Sequence, residues 1–391
     1  MRRSFFASSM LLAMLCVLTG AASAPARAAT TLMVTTPRHV IAHPGVGTVT
    51  VSWSALRLTG VTYSVASTPA GLSCTVVDKM SCTIPVTTSA PWQFSVTASN
   101  SSGSSLPSAP TKPFKHRTLL IVVGQSNALG AESYAKDPVT GINYLARHYG
   151  TRADVVDKIF WPAGWLSPMP GPSAVNLDTP QICVLCNSPS VQTFGPEIGL
   201  ARQVWADTGT PVTIVKETWA VTSLAVDWNP STPGDIYSQM VASVKSEMAI
   251  DAASGQLDVI GAFYWYQGEN DAMDPAQYPA YESNLTAFIG HVRADLPINP
   301  AAPIALAKES IGALIALEQF AGSCGTPNCS GLVAGDTGVR AADDQVAATV
   351  HGVVEVDTLG LPRTGLLIHL SNVGELELGK ELAVATDHQF P

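Results

Sequence analysis

From residue 116 onward the chain carries a set of short, continuous apolar runs: Thr118 to Val123, Val212 to Val215, Leu257 to Tyr266, Pro303 to Ala307 and Val353 to Val356. A strand with one wet face alternates polar and apolar residues. A run without alternation is the pattern of a strand covered on both faces, as in a parallel sheet. Helical periodicity fills the intervals, at Pro196 to Ala206, Ile236 to Ala253, Tyr278 to Leu296 and Arg340 to Val350, with a last helix from Gly374 to Ala385. Strands alternating with helices predict an α/β fold with helices on both faces of the sheet. The segment Ser133 to Thr193 is weakly periodic and dotted with Pro and Gly, a length at which loops usually serve function.

Residues 31–113 have a different texture, rich in Thr, Ser, Val, Pro and Gly. Period-two alternation recurs at Thr48–Trp53, Val61–Val65 and Trp92–Ala98, which predicts short antiparallel strands in a β-sandwich. Ser108-Ala109-Pro110-Thr111-Lys112-Pro113 reads as the linker out. Pro44 to Trp53 resembles the opening of a fibronectin type III domain, and Phe94 to Asn100 its strand before the last turn. That resemblance implies a spacer or binding module rather than a catalytic unit.

The first residues read as an export signal. Met1-Arg2-Arg3 is basic, Met10 to Leu18 is apolar, and Ala22-Ser23-Ala24 and Ala26-Arg27-Ala28 are small-x-small cleavage patterns. The apolar run is too short to anchor the chain in a membrane, and Arg2-Arg3-Ser4-Phe5-Phe6 loosely fits a twin-arginine signal. Expected boundaries are a signal peptide at 1–28, a sandwich at 31–113 and a third unit at 117–391. Cleavage after Ala28 removes three arginines and takes the net charge from −9 to −12. With such a charge, nucleic acid and anionic membranes are poor partners. Of the seven cysteines, all but Cys16 lie in close pairs, Cys74/Cys82, Cys183/Cys186 and Cys324/Cys329. In an oxidising compartment these predict three local disulfides pinning surface loops. Cys183-Val184-Leu185-Cys186 also fits a redox or zinc motif, but no second close Cys/His pair completes a zinc site. The expected location is extracellular or periplasmic.

Four short motifs carry chemistry. Gly124-Gln125-Ser126-Asn127 follows the first strand, where α/β sheets bind ligands and a serine stands exposed as a nucleophile. Thr193-Phe194-Gly195-Pro196-Glu197 opens a helix with a free backbone N–H at Gly195 that could face an oxyanion. Trp265-Tyr266-Gln267-Gly268-Glu269-Asn270-Asp271 ends another strand with side-chain amides of the kind that donate to an oxyanion. Ile368-His369-Leu370-Ser371 precedes the last helix and supplies a histidine able to act as base toward serine.

In this order the motifs resemble the SGNH-hydrolase superfamily, and more closely its carbohydrate-esterase branch of sialate O-acetylesterases and family-six acetylxylan esterases. The resemblance covers about residues 117–388 and implies a flavodoxin-like three-layer α/β/α domain. It implies Ser126 as nucleophile and His369 as general base, with the N–H groups of Ser126 and Gly195 lining an oxyanion hole. Gln267 or Asn270 would supply the side-chain donor. The implied reaction removes acetyl groups from O-acetylated carbohydrate, xylan or sialoside-like, and requires no metal or organic cofactor.

The sequence departs from that branch twice. Where the branch carries an Asp three residues before the histidine, this chain has Leu366. The readings for what orients His369 are, in order, a Ser–His dyad held by a backbone carbonyl, Asp357, and Glu269. Trp219-Ala220-Val221-Thr222-Ser223-Leu224 stands where the branch has a Gly-Gly pair before Thr-Ser-Leu, in a loop expected to face substrate. Two alternatives remain beside the acetylesterase: a non-catalytic carbohydrate-binding protein on a degenerate esterase scaffold, and a short-chain lipid or aryl esterase.

Overall fold

The structure, a computed structural model, describes residues 34–134, 136, 158–161, 173–176, 181–182, 192–232, 236–312, 314–315, 326–364 and 368–387. The leader, Leu366 and the cysteine side chains of the Cys183/Cys186 and Cys324/Cys329 pairs lie outside the described residues.

Seven short strands come first: β1 (Ile41–Gly45), β2 (Thr48–Ser52), β3 (Thr62–Thr68), β4 (Ser73–Val77), β5 (Ser81–Pro85), β6 (Gln93–Asn100) and β7 (Gly103–Ser104). They form two antiparallel sheets, ordered β1-β2-β5 and β4-β3-β6-β7. Alternation turns Val49, Val51, Tyr63, Val65, Phe94 and Val96 into one shared apolar core. The Cys74–Cys82 disulfide joins β4 to β5, so it ties one sheet to the other rather than pinning a surface loop. Leu257, from the next part of the chain, is buried in the same core, and Asn299 Nδ2 donates to the Thr87 carbonyl at 3.5 Å.

The α/β part is built on β8 (Lys115–Gly124), β9 (Lys158–Trp161), β10 (Ser173–Asn176), β13 (Val212–Thr218), β14 (Gln256–Tyr266), β15 (Ile304–Lys308) and β16 (Val353–Asp357), beside the small pair β11 (Gln181–Ile182) and β12 (Gln192–Thr193). The seven strands run in the order β10-β9-β13-β8-β14-β15-β16, parallel throughout except for β10. The segment expected to be loop thus contributes β9 and β10 to one edge of the sheet.

Successive residues of β8 serve opposite faces. Leu119, Ile121 and Val123 enter one apolar cluster, and Leu120 and Val122 the other. The first cluster is closed by α3 (Ile236–Ala253), α5 (Tyr281–Asp295) and α6 (Thr326–Thr349). The second is closed by α2 (Glu197–Thr208) and α7 (Asn372–Ala385). The result is three layers, with the sheet as the middle one. Helices α2 and α7 cross closely: a Cβ on Gly379 would stand 2.0 Å from the Pro196 carbonyl. Among the described residues, no helix is long and apolar enough to cross a membrane.

Two elements differ from the sequence expectation in length. Helix α6 begins fourteen residues before the expected Arg340, through Gly331, Gly335 and Gly338, which break the apolar periodicity. The expected helix at Tyr278 to Leu296 starts as a 3-10 turn, Tyr278–Ala280, set by Pro279.

Candidate active site

Strand β8 ends in Gly124 at φ +144°, where a Cβ would stand 2.0 Å from the Tyr266 carbonyl. Only glycine lets the chain turn so close to β14. The Gln125 N–H then donates to that carbonyl at 3.0 Å, and the four-residue helix α1 (Ser126–Leu129) begins at once. Ser126 is therefore the first helical residue, with a backbone N–H of the kind that a helix start leaves without an internal partner.

His369 reaches this turn from 243 residues away, and its Nε2 lies 3.0 Å from Ser126 Oγ. The histidine segment is clamped by Asn127. Asn127 Nδ2 donates to the Ile368 carbonyl at 3.2 Å and to Glu269 Oε1 at 2.7 Å, while its Oδ1 accepts from the Leu370 N–H at 3.0 Å. Arg363 Nη1 adds a bond to the Ile368 carbonyl at 2.9 Å. Asn127 thus holds both neighbours of His369 against the residue next to the serine, a role that the motif alone did not disclose.

On the other side of the ring, Glu132 Oε2 lies 3.5 Å from His369 Nδ1 and accepts from Thr364 Oγ1. Burial pulls the imidazole below its ordinary 6.5; the Glu132 carboxylate opposes this and the Arg363 charge reinforces it. The ring is therefore neutral at neutral pH. With the proton on Nδ1, toward Glu132, Nε2 is free to accept from the serine hydroxyl.

The remaining sequence candidates lie in varied settings. Gly195 lies beside the turn, its backbone within Cβ range of the Ala128 carbonyl, but its N–H donates to Glu197 Oε1 at 3.0 Å. Gln267 is 1% exposed and fully committed: Nε2 donates to the Thr222 carbonyl at 2.9 Å and to Asp271 Oδ2 at 2.7 Å. Asp271 in turn accepts from the N–H groups of Leu224 and Ala225, so Gln267 and Asp271 brace the 219–228 loop. Asn270, in the short helix α4 (Glu269–Met273), is half-buried, and its side chain has no hydrogen bond to another described residue. Glu269 is fully buried on Asn127, and burial pushes its carboxyl up to about 7. Asp357 ends the edge strand β16, half exposed, and pairs with Arg340 at 2.7 Å. Neither Glu269 nor Asp357 bonds to the His369 ring, whereas Glu132, which the sequence reading did not single out, faces it. The available signal was a carboxylate just past the Ser126 turn, in Gly130-Ala131-Glu132. Among the described residues, no group of three or more His, Cys, Asp or Glu side chains is arranged to hold a metal.

Solved structures similar to this chain include a protein from Arabidopsis thaliana, 22% identical, covering 71% of this chain and 100% of its own, with a TM-score of 0.48. A carbohydrate acetylesterase from Xanthomonas citri is 16% identical and covers 89% of this chain and 75% of its own, with a TM-score of 0.48. A family two carbohydrate esterase from Cellvibrio japonicus is 12% identical and covers 90% and 96%, with a TM-score of 0.33. No curated protein matches the chain. At those TM-scores the likenesses decide nothing by themselves. What decides is a family model spanning residues 116–388, from the strand that delivers Ser126 to the helix behind His369: the chain belongs to the carbohydrate esterase, sialic acid-specific acetylesterase family.

Proposed function

We propose that this chain hydrolyses acetyl esters of a carbohydrate, with Ser126 as nucleophile and His369 as general base. The observation that carries the reading is the 3.0 Å approach of His369 Nε2 to Ser126 Oγ at the carboxyl end of a central parallel strand. Ser126 Oγ attacks the acetyl carbonyl carbon as its proton passes to Nε2. The tetrahedral oxyanion collapses, the bond to the sugar oxygen breaks, and Nε2 returns the proton to that oxygen. Water then adds to the acetyl-serine with His369 again as base, and acetate leaves.

The Ser126 N–H and the side chain of Asn270, which has no hydrogen bond to another described residue, are the oxyanion donors favoured here. Gly195 would serve only after its N–H leaves Glu197, and Gln267 only by breaking two bonds. Residues 31–113 are proposed as a fibronectin type III-like sandwich, a spacer or glycan-binding unit. Residues 117–391 are proposed as the esterase, exported by a signal peptide at 1–28 and acting on xylan or sialoside-like acetyl groups.

The test is hydrolysis of p-nitrophenyl acetate by the mature protein and its Ser126→Ala variant. Loss of turnover by several orders of magnitude is expected, and equal rates in the two would refute the nucleophile. Parallel assays on acetylated xylan and O-acetyl sialosides identify the sugar. Short-chain lipid esters cleaved in preference to both would move the enzyme to another substrate class.

A further inference from the structure

We propose that Glu132 is the positioning residue of His369, supplying from the nucleophile's own turn the carboxylate that Leu366 does not. The proposal rests on the Ser126–His369 reading above. Three observations carry it. First, Glu132 Oε2 is 3.5 Å from Nδ1, the ring nitrogen that faces away from Ser126. Second, the other candidates are committed elsewhere: Asp357 to Arg340, Glu269 to Asn127, and the Ile368 carbonyl to Arg363 and Asn127. Third, the backbone is bent to put Glu132 there. Helix α1 stops after one turn, with Gly130 at φ +84° and its N–H on the Asn127 carbonyl; the Ala131 N–H returns to the Ser126 carbonyl. Glu132 itself stands at φ +67°, in the left-handed region that glycine favours. Non-glycine residues held in that region cluster at functional sites. Here the reversal folds residue 132 back over the histidine, where Thr364 Oγ1 holds its carboxylate.

At 3.5 Å the pair is longer than a good hydrogen bond. It shortens as the ring becomes imidazolium, since catalytic contacts tighten when charge develops. Glu132 thus fixes the tautomer with the proton on Nδ1 and stabilises the imidazolium, without itself taking the proton. The acid would then travel with the nucleophile rather than with the histidine.

The charged groups around the ring are Glu132 from the nucleophile turn and Arg363 from the segment before it, with Glu269 behind Asn127. Replacing Glu132 by Gln removes the group that raises the imidazole pKa and leaves burial and Arg363, which lower it. In the full mature chain, Glu132→Gln is expected to cut kcat for p-nitrophenyl acetate by roughly 10²-fold or more. KM is expected to stay within about twofold and the acid limb of the pH profile to move to lower pH. Glu132→Asp keeps the charge, so it regains part of kcat and holds the limb near the wild-type position. A merely structural residue would move no limb, and Gln and Asp would then fall together. That pattern, or a Gln variant within about threefold of wild type, overturns the proposal. If Ser126→Ala is inactive while Glu132→Gln is not, only the Glu132 role fails; if Ser126→Ala is active, the nucleophile reading fails first.

Discussion

Replacing Lys216 with Met tests the charge network under the nucleophile turn. Lys216 lies on β13, its ammonium wholly buried, 2.7 Å from Glu197 Oε2 and 3.1 Å from the Leu129 carbonyl that closes α1. Glu197 Oε1 in turn accepts the Gly195 N–H, so one chain of bonds links Gly195 to the end of the nucleophile helix. Glu375 is buried beside them, and burial holds its carboxyl well above the usual range. Burial also lowers the Lys216 ammonium below its ordinary range, and the Glu197 carboxylate beside it opposes that. Removing one partner of such a pair costs about 3–5 kcal/mol, because the other charge is left uncompensated. The unpaired Leu129 carbonyl adds about 1–3 kcal/mol at any pH. Lys216→Met is therefore expected to lose about 5 kcal/mol at pH 7, by urea unfolding followed by tryptophan fluorescence. The double variant with Glu197→Gln should be more stable at pH 7 than Lys216→Met alone. A loss below about 1 kcal/mol at pH 7, or a double variant no more stable than Lys216→Met alone, would refute the coupled network.

Asn127→Ala frees both neighbours of His369. It should cost about 1–3 kcal/mol and slow labelling of Ser126 by a serine-directed phosphonate at least tenfold; unchanged labelling would mean that the clamp does not position the base. Val221 is β-branched, 70% exposed and at φ +61°. Val221→Gly should raise the urea midpoint, because relief of about 1–3 kcal/mol of backbone strain exceeds the entropy of an added glycine; a lower midpoint would show the side chain to be packed in a way that offsets the strain. Burial pushes the carboxyls of Glu247 and Glu269 up to about 7. Each binds its proton more tightly folded than unfolded, so its stabilisation is complete below the ordinary glutamate range and is lost as pH rises through 7. The lowered His369 acts oppositely, costing stability as pH falls below 6.5. With these carboxyls and others that burial raises, Asp258 to about 8 among them, set against one imidazole, the melting temperature should fall from pH 5 to pH 8, and Glu247→Gln should flatten the fall; a melting temperature that rises over this range would contradict the buried carboxyls.

The four central strands, β13, β8, β14 and β15, were legible because burial on both faces leaves no freedom for alternation: β13 is buried at every position from Val212 to Thr218. That argument reads apolar faces, and it failed where close packing replaced them. The start of α6 was missed because it meets α4 through glycine; a Cβ on Gly335 would stand 1.7 Å from the Ala272 carbonyl, so the contact carries no apolar side chain to see.

The site followed the same division. The pairing of Ser126 with His369 was legible from residue type and chain order, since both motifs fall at the carboxyl end of the sheet. The bonds that commit their neighbours were not. Gln267 has the chemistry of an oxyanion donor, but Asp271 lies one helical turn on, and a buried carboxylate claims the nearest amide. The Gly195 N–H is likewise taken by the carboxylate two residues later. Glu132 shows why such assignments resist sequence reading. Its carboxylate meets the histidine only because two residues, Gly130 and Glu132 itself, adopt left-handed backbone in quick succession. A glutamate announces no such conformation, as a glycine would. A carboxylate's reach to an imidazole is set by backbone torsions that its own residue type opposes, so the position of the acid had to come from the fold.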